Sequence, residues 1–149
     1  SIASLELKKS MVAERQASAA KRILGKKYLE SVTIEEFYFD TNSIGSGILL
    51  IAEFENTIIA WDALGERGKS SDIVGMEAAH GLIKQLMSDA TIDDYAVDQL
   101  IPYMTLCSEE SKINFNELTL HSKTNLVLLK KFIDFEYWID GNELRMKRV

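Results

Sequence analysis

Residues 48–64 read ILLIAEFENTIIAWDAL, and this stretch decides the fold class. Its two apolar runs, residues 48–54 and 57–64, are separated only by Glu55 and Asn56. Apolar runs of this length that meet at a short polar turn predict a β-hairpin. A hairpin alone cannot bury its apolar face, so we expect a helix to cover it. Residues 8–28 carry apolar side chains at helical spacing and predict that helix, whose regular part ends at Gly25.

The rest of the chain mixes helices and strands. Asp93 is a predicted N-cap, and Pro102 is expected to kink or shorten the helix that follows it. The other predicted elements are a strand at 32–39, helices at 71–88, 93–106 and 123–133, a strand at 112–118 and a hairpin at 135–147. This order predicts an α+β fold with mixed sheets.

A polar, glycine-bearing stretch at residues 65–71 separates the hairpin from the next helix. Such a stretch is typical of a boundary between structural units. The sequence therefore predicts two units that meet there. It is not a Walker phosphate loop, because Ala63 stands where the pattern requires the first glycine before Gly68, Lys69 and Ser70.

Composition excludes several classes of protein. The 149 residues are 46% hydrophobic and 27% charged, which is typical of a globular chain and excludes a disordered one. No secretory signal and no apolar run of membrane-spanning length is visible. The single cysteine, Cys107, excludes an internal disulfide and favours a cytoplasmic setting. A net charge of −6 disfavours a broad basic surface for nucleic acid.

Two histidines are candidates for chemistry. His80 lies inside a predicted helix, where an ordinary structural residue is the simpler interpretation. His121 lies between a predicted strand and a predicted helix, where ligands often meet helix N-termini. Ser122, Lys123 and Thr124 either face a phosphate there or cap the helix, and the cap is the simpler interpretation. Cys107 is expected to be a small core residue.

An acidic cluster opens the predicted helix at 93–106, formed by Asp93, Asp94 and Asp98. Acidic first turns commonly offset the helix dipole, and this interpretation is favoured on spacing alone. The alternative is a small polar cluster that holds a ligand. Tyr95, Asp98 and Gln99 are spaced i, i+3 and i+4, so they share one helix face.

Six stretches of the chain, taken in order, resemble the C-terminal part of the RNA 3'-terminal phosphate cyclase family. They are spread over most of residues 11–135. They read VAERQA (12–17), GSGI with AEFEN (45–48 and 52–56), DALGERGK (62–69), VGMEAA (74–79), YAVDQLIP (95–102) and LHSKTN (120–125).

The resemblance implies a domain organisation. Family members have a large domain of βαβαββ repeats, interrupted by a smaller inserted α/β domain. Residues 1–66 are expected to be most or all of the insert, and residues 67–149 the last part of the large domain. Family chains are more than twice as long, so this chain resembles a C-terminal piece that lacks the N-terminal part of the large domain.

The resemblance also implies ATP-dependent ligase chemistry in RNA processing. Such enzymes convert an RNA 3'-phosphate to a 2',3'-cyclic phosphate through a covalent histidine–AMP intermediate, with ATP and a divalent cation, Mg²⁺ or Mn²⁺. The His-x-x-Thr-Asn pattern maps the catalytic histidine to His121. The Tyr-x-x-Asp-Gln pattern maps nucleotide contacts to Tyr95, Asp98 and Gln99, while metal ligands stay unassigned.

The expected partners are RNA 3'-phosphate ends and the missing N-terminal part of the enzyme, as a separate chain or as part of the same one. No membrane partner is expected. The alternative is a non-catalytic binding module, such as the cyclase-like scaffold that acts in ribosome biogenesis. The presence of His121, Asp98 and Gln99 favours the catalytic branch.

Overall fold

The computed structural model describes residues 1–26 and 32–149 and shows an α+β fold, as expected. A 3₁₀ helix at Leu5–Ser10 precedes four α-helices and accompanies seven strands in this part of the chain. The strands are β1 Ile2–Ser4, β2 Phe37–Phe39, β3 Ser46–Glu53, β4 Ile58–Leu64, β5 Ser111–Asn114, β6 Phe135–Asp140 and β7 Glu143–Arg148. The helices are α1 Val12–Gly25, α2 Ser71–Leu86, α3 Asp94–Met104 and α4 Leu120–Leu129.

The chain divides into two compact units. Unit 1 comprises Ser1–Ala52 and Ala60–Lys84, and unit 2 comprises Glu53–Ile59 and Gln85–Val149. This division assigns nearly all of α2 to unit 1, whereas the sequence interpretation placed that helix after a boundary at residue 66. The domain boundary in a longer enzyme stays a prediction.

Unit 1 contains most of a four-stranded sheet with the order β2-β1-β3-β4. Strand β1 is parallel to β2 and antiparallel to β3. Because side chains alternate between faces along each strand, Ala3, Ile48 and Leu50 lie on one face and are buried. The other face, which we call the outer sheet face, carries exposed apolar side chains, among them Ile2, Phe37, Phe39, Leu49, Ile51 and Leu64.

Two glycines let α2 approach its neighbours in unit 1 closely. A Cβ atom at Gly75 would lie 2.1 Å from the Gln16 carbonyl oxygen in α1. A Cβ atom at Gly81 would lie 2.0 Å from Trp61 Nε1 in β4. These distances are below van der Waals contact, so any larger residue at either position would require its neighbour to move.

Unit 2 packs α3 and α4 with a three-stranded antiparallel sheet of order β5-β7-β6. The β6–β7 hairpin turns at Gly141, whose φ of 55° suits glycine. Bulky apolar side chains from α3, α4, β6 and β7, and from the loop before α4, fill the core, and β5 adds the partly buried Ile113. Its buried members are Val97, Ile101, Met104, Phe115, Leu118, Leu126, Phe135, Leu144 and Met146.

The main predicted elements are present, with shifted ends. Both hairpins are confirmed, and α1 ends at Gly25; the predicted last turn to Tyr28 extends beyond the described residues. The start of α1 was predicted wrongly: Met11 adopts the left-handed conformation, φ 49°, between the 3₁₀ helix and α1. Strand β1 was missed because three residues carry too little pattern.

Candidate functional site

Asp93 caps α3, as its sequence position predicted. Its backbone is extended, and its side chain accepts a hydrogen bond of 2.9 Å from the Ala96 N–H. This bond satisfies one of the donors that a helix N-terminus leaves without an intrahelical partner. Pro102 lies inside α3, which ends two residues later at Met104. The predicted shortening by Pro102 therefore agrees with the observed end of α3.

Asp94 is the centre of a buried polar cluster rather than part of an exposed acidic patch. Its Oδ2 accepts hydrogen bonds from Gln85 Nε2 at 2.7 Å and from Asn116 Nδ2 at 3.0 Å. Its Oδ1 accepts one from the Glu117 N–H at 2.7 Å. These contacts join the end of α2, the start of α3 and the loop before α4.

Tyr95, Asp98 and Gln99 lie on α3 as their spacing predicted. Tyr95 and Gln99 are exposed, and Asp98 is half-buried between them. Gln99 Nε2 donates a hydrogen bond of 2.7 Å to Asp98 Oδ1. The three side chains therefore form a polar surface that is open to a ligand in solvent.

His121 is the second residue of α4. The helix begins at Leu120, three residues before the predicted start, because Thr119 is its N-cap: the Thr119 hydroxyl accepts a hydrogen bond of 3.1 Å from the Ser122 N–H. Of the candidate capping residues, Ser122 instead has a buried side chain inside the first turn. His121 and Lys123 are exposed there, and this turn contains no acidic residue.

A hydrogen bond from α4 to α3 connects the two groups of candidate residues. Asn125 Nδ2 donates to the Asp98 carbonyl oxygen at 3.0 Å. His121 and Asn125 are spaced i, i+4, so they share one face of α4, with Cβ atoms about 6 Å apart. The face of α4 that carries His121 is thus the face that contacts α3 at Asp98. Sequence reasoning assigned Asn125 no role, although its i+4 spacing from His121 was the available signal.

The other two reactive residues lie on other segments of the chain. His80 is exposed in α2, in unit 1. Cys107 was expected in the core, which is wrong: it is exposed just after α3, and its thiol donates to the Tyr103 carbonyl. A residue beyond a helix end has no packed helix face to bury it, which explains the difference.

Metal and membrane features are also absent from the described ranges. Across residues 1–26 and 32–149, no three histidine, cysteine or carboxylate side chains come together as a metal site. None of the helices described in those ranges is long and apolar enough to cross a membrane.

Comparison with known proteins gives a family. The model of the RNA 3'-terminal phosphate cyclase (RTC) insert domain matches residues 2–87. The chain belongs to the RNA 3'-terminal phosphate cyclase family. The matched range includes α2, in agreement with the composition of unit 1.

Relatives named RNA 3'-terminal phosphate cyclase match nearly the whole chain. The protein of Sulfurisphaera tokodaii is 41% identical over 135 residues, which are 90% of this chain and 39% of the relative. That of Archaeoglobus fulgidus is 35% identical over 136 residues, 91% of this chain and 40% of the relative. That of Pyrobaculum aerophilum is 38% identical over 127 residues, 85% of this chain and 36% of the relative. The chain therefore spans about two fifths of these relatives.

Proposed function

We propose that this chain carries the adenylylated histidine of an ATP-dependent RNA 3'-terminal phosphate cyclase. The observation that carries the proposal is the Asn125–Asp98 hydrogen bond, since it connects the helix face of His121 with the α3 turn that bears Tyr95, Asp98 and Gln99. A nucleophile and a nucleotide-binding surface on neighbouring helices can act on one nucleotide.

His121 is the nucleophile of the proposed first step. The lone pair of its neutral imidazole forms a bond to the α-phosphorus of ATP, while the bond from that phosphorus to the bridging oxygen breaks and pyrophosphate leaves. The ring N–H then releases its proton to solvent. The AMP passes to an RNA 3'-phosphate, whose neighbouring 2'-OH closes the ring and expels AMP.

The surroundings of His121 suit a phosphate. The exposed Lys123 is the only charged side chain of the first turn of α4, and a helix N-terminus carries partial positive charge. Tyr95 and Gln99 offer a ring and an amide to the base or ribose, and Asp98 holds the Gln99 amide in place. The described residues do not form a cation site of their own, so no step is assigned to a metal. In the proposal, Mg²⁺ or Mn²⁺ enters with the phosphates of ATP.

A further part of the enzyme completes the site in this proposal. Helix α4 and the turn after it carry an exposed apolar patch besides the buried Leu126, because Leu120 is 78% exposed and Phe132 is 77% exposed. Val127 and Leu128 are exposed as well. An exposed cluster of apolar side chains commonly marks a surface that another part of a protein covers. In the proposal, this surface packs against the part of the enzyme that the chain does not cover, which is about three fifths of the relatives.

Labelling with α-³²P ATP tests the proposal, using the chain itself and a chimera in which it replaces the matched 135 residues of the Sulfurisphaera tokodaii relative. We expect acid-labile label on the chimera with α-³²P ATP and none with γ-³²P ATP. His121→Ala should abolish the label, and His80→Ala is the matched control. Undiminished label in His121→Ala would refute the assignment. RNA binding without label in the unsubstituted chimera would instead favour a scaffold.

A further inference from the structure

Asp94, Gln85, Asn116 and the Glu117 N–H form the Asp94 cluster. Neither helix capping nor an interaction with the helix dipole explains why Asp94 is buried there. A capping aspartate already precedes α3, since Asp93 accepts from Ala96. Asp94 is 5% exposed, and each of its hydrogen bonds goes to a residue outside α3. Burying a carboxylate is unfavourable unless donors surround it, so this cluster has to be assembled as a whole.

Gln85 shows that the carboxylate organises the cluster. Its side chain is fully buried, and its Nε2 donates to Asp94 while its Oε1 accepts no hydrogen bond in the described structure. The Gln85 side chain is thus oriented so that its NH₂ group meets the Asp94 carboxylate, while its oxygen is left without a hydrogen bond. A buried acceptor without a hydrogen bond is unfavourable. The hydrogen bond from Gln85 Nε2 to Asp94 therefore outweighs the loss at Gln85 Oε1.

The Asp94 cluster and the Asn125–Asp98 bond attach α4 to α3 at two points. Asp94 holds the Glu117 N–H, two residues before the cap of α4, and the Asp98 carbonyl holds Asn125. Asp94 and Asp98 are one turn apart on α3. Glu117 and Asn125 each stand four residues from His121, on opposite sides of it. Asp94 precedes Asp98 on α3, and their partners Glu117 and Asn125 follow in the same order. His121 is therefore held between the two attachments.

From this arrangement we propose that Asp94 is a positioning residue, which sets the place of His121 by fixing the loop that leads into α4. The inference rests on the proposed function. Asp94 does not touch the nucleotide; it acts through the Glu117 N–H and the Thr119 cap. A displacement of about 1 Å can lower the rate of a reaction by about 100-fold. Loss of the attachment at Asp94 should therefore reduce adenylylation far more than it reduces folding.

Three variants separate positioning from general stability. Asp94→Ala removes the acceptor of the Glu117 N–H. Asp94→Asn keeps an oxygen for that N–H, and its new amide donor meets Gln85 and Asn116, whose side-chain amides can turn over to accept it. Asp93→Ala is the control, because it removes a buried aspartate from the same helix start, one that accepts a hydrogen bond from the Ala96 N–H of α3 itself.

The first readout is the initial rate of labelling of the chimera, with the ATP concentration varied. We expect Asp94→Ala to lower the maximal rate by about 10- to 100-fold, Asp94→Asn to restore it, and Asp93→Ala to stay within about threefold of the parent. The second readout is amide hydrogen exchange at Glu117 in the chain itself. It should be faster in Asp94→Ala and unchanged in the other two variants.

Several results would overturn the inference. One is a parental labelling rate in Asp94→Ala, and another is an equal loss in Asp93→Ala. A third is lost labelling in Asp94→Asn while the Glu117 amide stays protected, a result that remains available if Asp94→Ala does not fold. Failure of the proposed function is distinguishable, since His121→Ala would then label like the parent. In that case the His121 ring signals in NMR spectra test whether Asp94 positions His121. These signals should shift in Asp94→Ala and not in Asp93→Ala.

Discussion

The two units reach close packing in opposite ways. Unit 1 brings backbones together through small residues, with Gly75 against Gln16 and fully buried alanines at positions 13, 17 and 20 in α1. Unit 2 fills its interior with large side chains, and Ile101, Leu144 and Met146 are fully buried. Unit 1 should therefore be sensitive to added atoms, and unit 2 to removed ones.

Tryptophan fluorescence can measure this difference unit by unit. The chain has two tryptophans, Trp61 in unit 1 and Trp138 in unit 2. Replacing either one by phenylalanine leaves a single reporter for the other unit. Urea unfolding of these two parents gives the reference for the stability predictions below.

The largest expected effect is a cavity in unit 2. Leu144→Ala should lower the free energy of unfolding by about 3 kcal/mol, because it removes fully buried methyl groups from a filled core. The Trp138 transition should move to lower urea concentration. Leu120→Ala is the matched control, since Leu120 is exposed and its replacement should change the midpoint little. Equal shifts in both variants would contradict the packing of this core.

An added methyl group in unit 1 should have the next largest effect. Gly75→Ala should lower the free energy of unfolding by about 2 kcal/mol, because overpacking against the Gln16 backbone outweighs the gain in helix propensity. The Trp61 transition reports it. Gly25→Ala, at the end of α1, has open space around it and should not destabilise the unit. A stabilised Gly75→Ala variant would show that α1 and α2 are not in close contact.

The smallest expected effect is a pH dependence in unit 1. Arg15 donates a hydrogen bond of 2.5 Å to Asp72 and holds the pKa of that carboxyl below its ordinary value of 3.8. A lowered folded-state pKa stabilises the fold above the unfolded value, and this contribution is lost as the pH falls through the folded one. Asp72→Asn should therefore unfold at lower urea than its parent at pH 7, and the difference should shrink below about pH 4. Asp62→Asn, an exposed aspartate in the same unit, is the control; an identical pH profile for both variants would refute the role of Arg15.

Sequence reasoning was sound where a local pattern determines the structure. The hairpins, the Asp93 cap and the shared face of Tyr95, Asp98 and Gln99 each follow from neighbours within a few residues. The start of α4 was predicted wrongly, because Thr119, Ser122 and Thr124 are all plausible near a helix start and only the fold selects Thr119.

The candidate site also shows that local sequence patterns do not predict contacts between distant segments. His121 was found through a motif, but its relation to α3 depends on Asn125, and no local pattern pairs Asn125 with a backbone carbonyl 27 residues earlier. Asp94 was predicted with its acidic neighbours, although its partners lie 9, 22 and 23 residues away. Contacts between distant segments need the tertiary structure.

The outer sheet face of unit 1 has a practical consequence for anyone who studies this chain in solution. Dyes such as ANS fluoresce when they bind exposed hydrocarbon, and such binding is widely used to recognise partly folded states. Here the native sheet already offers side chains such as Phe39, which is 53% exposed, and Leu49, which is 56% exposed. A bright dye signal at neutral pH would therefore belong to the intact fold, and only its change on denaturation would carry information.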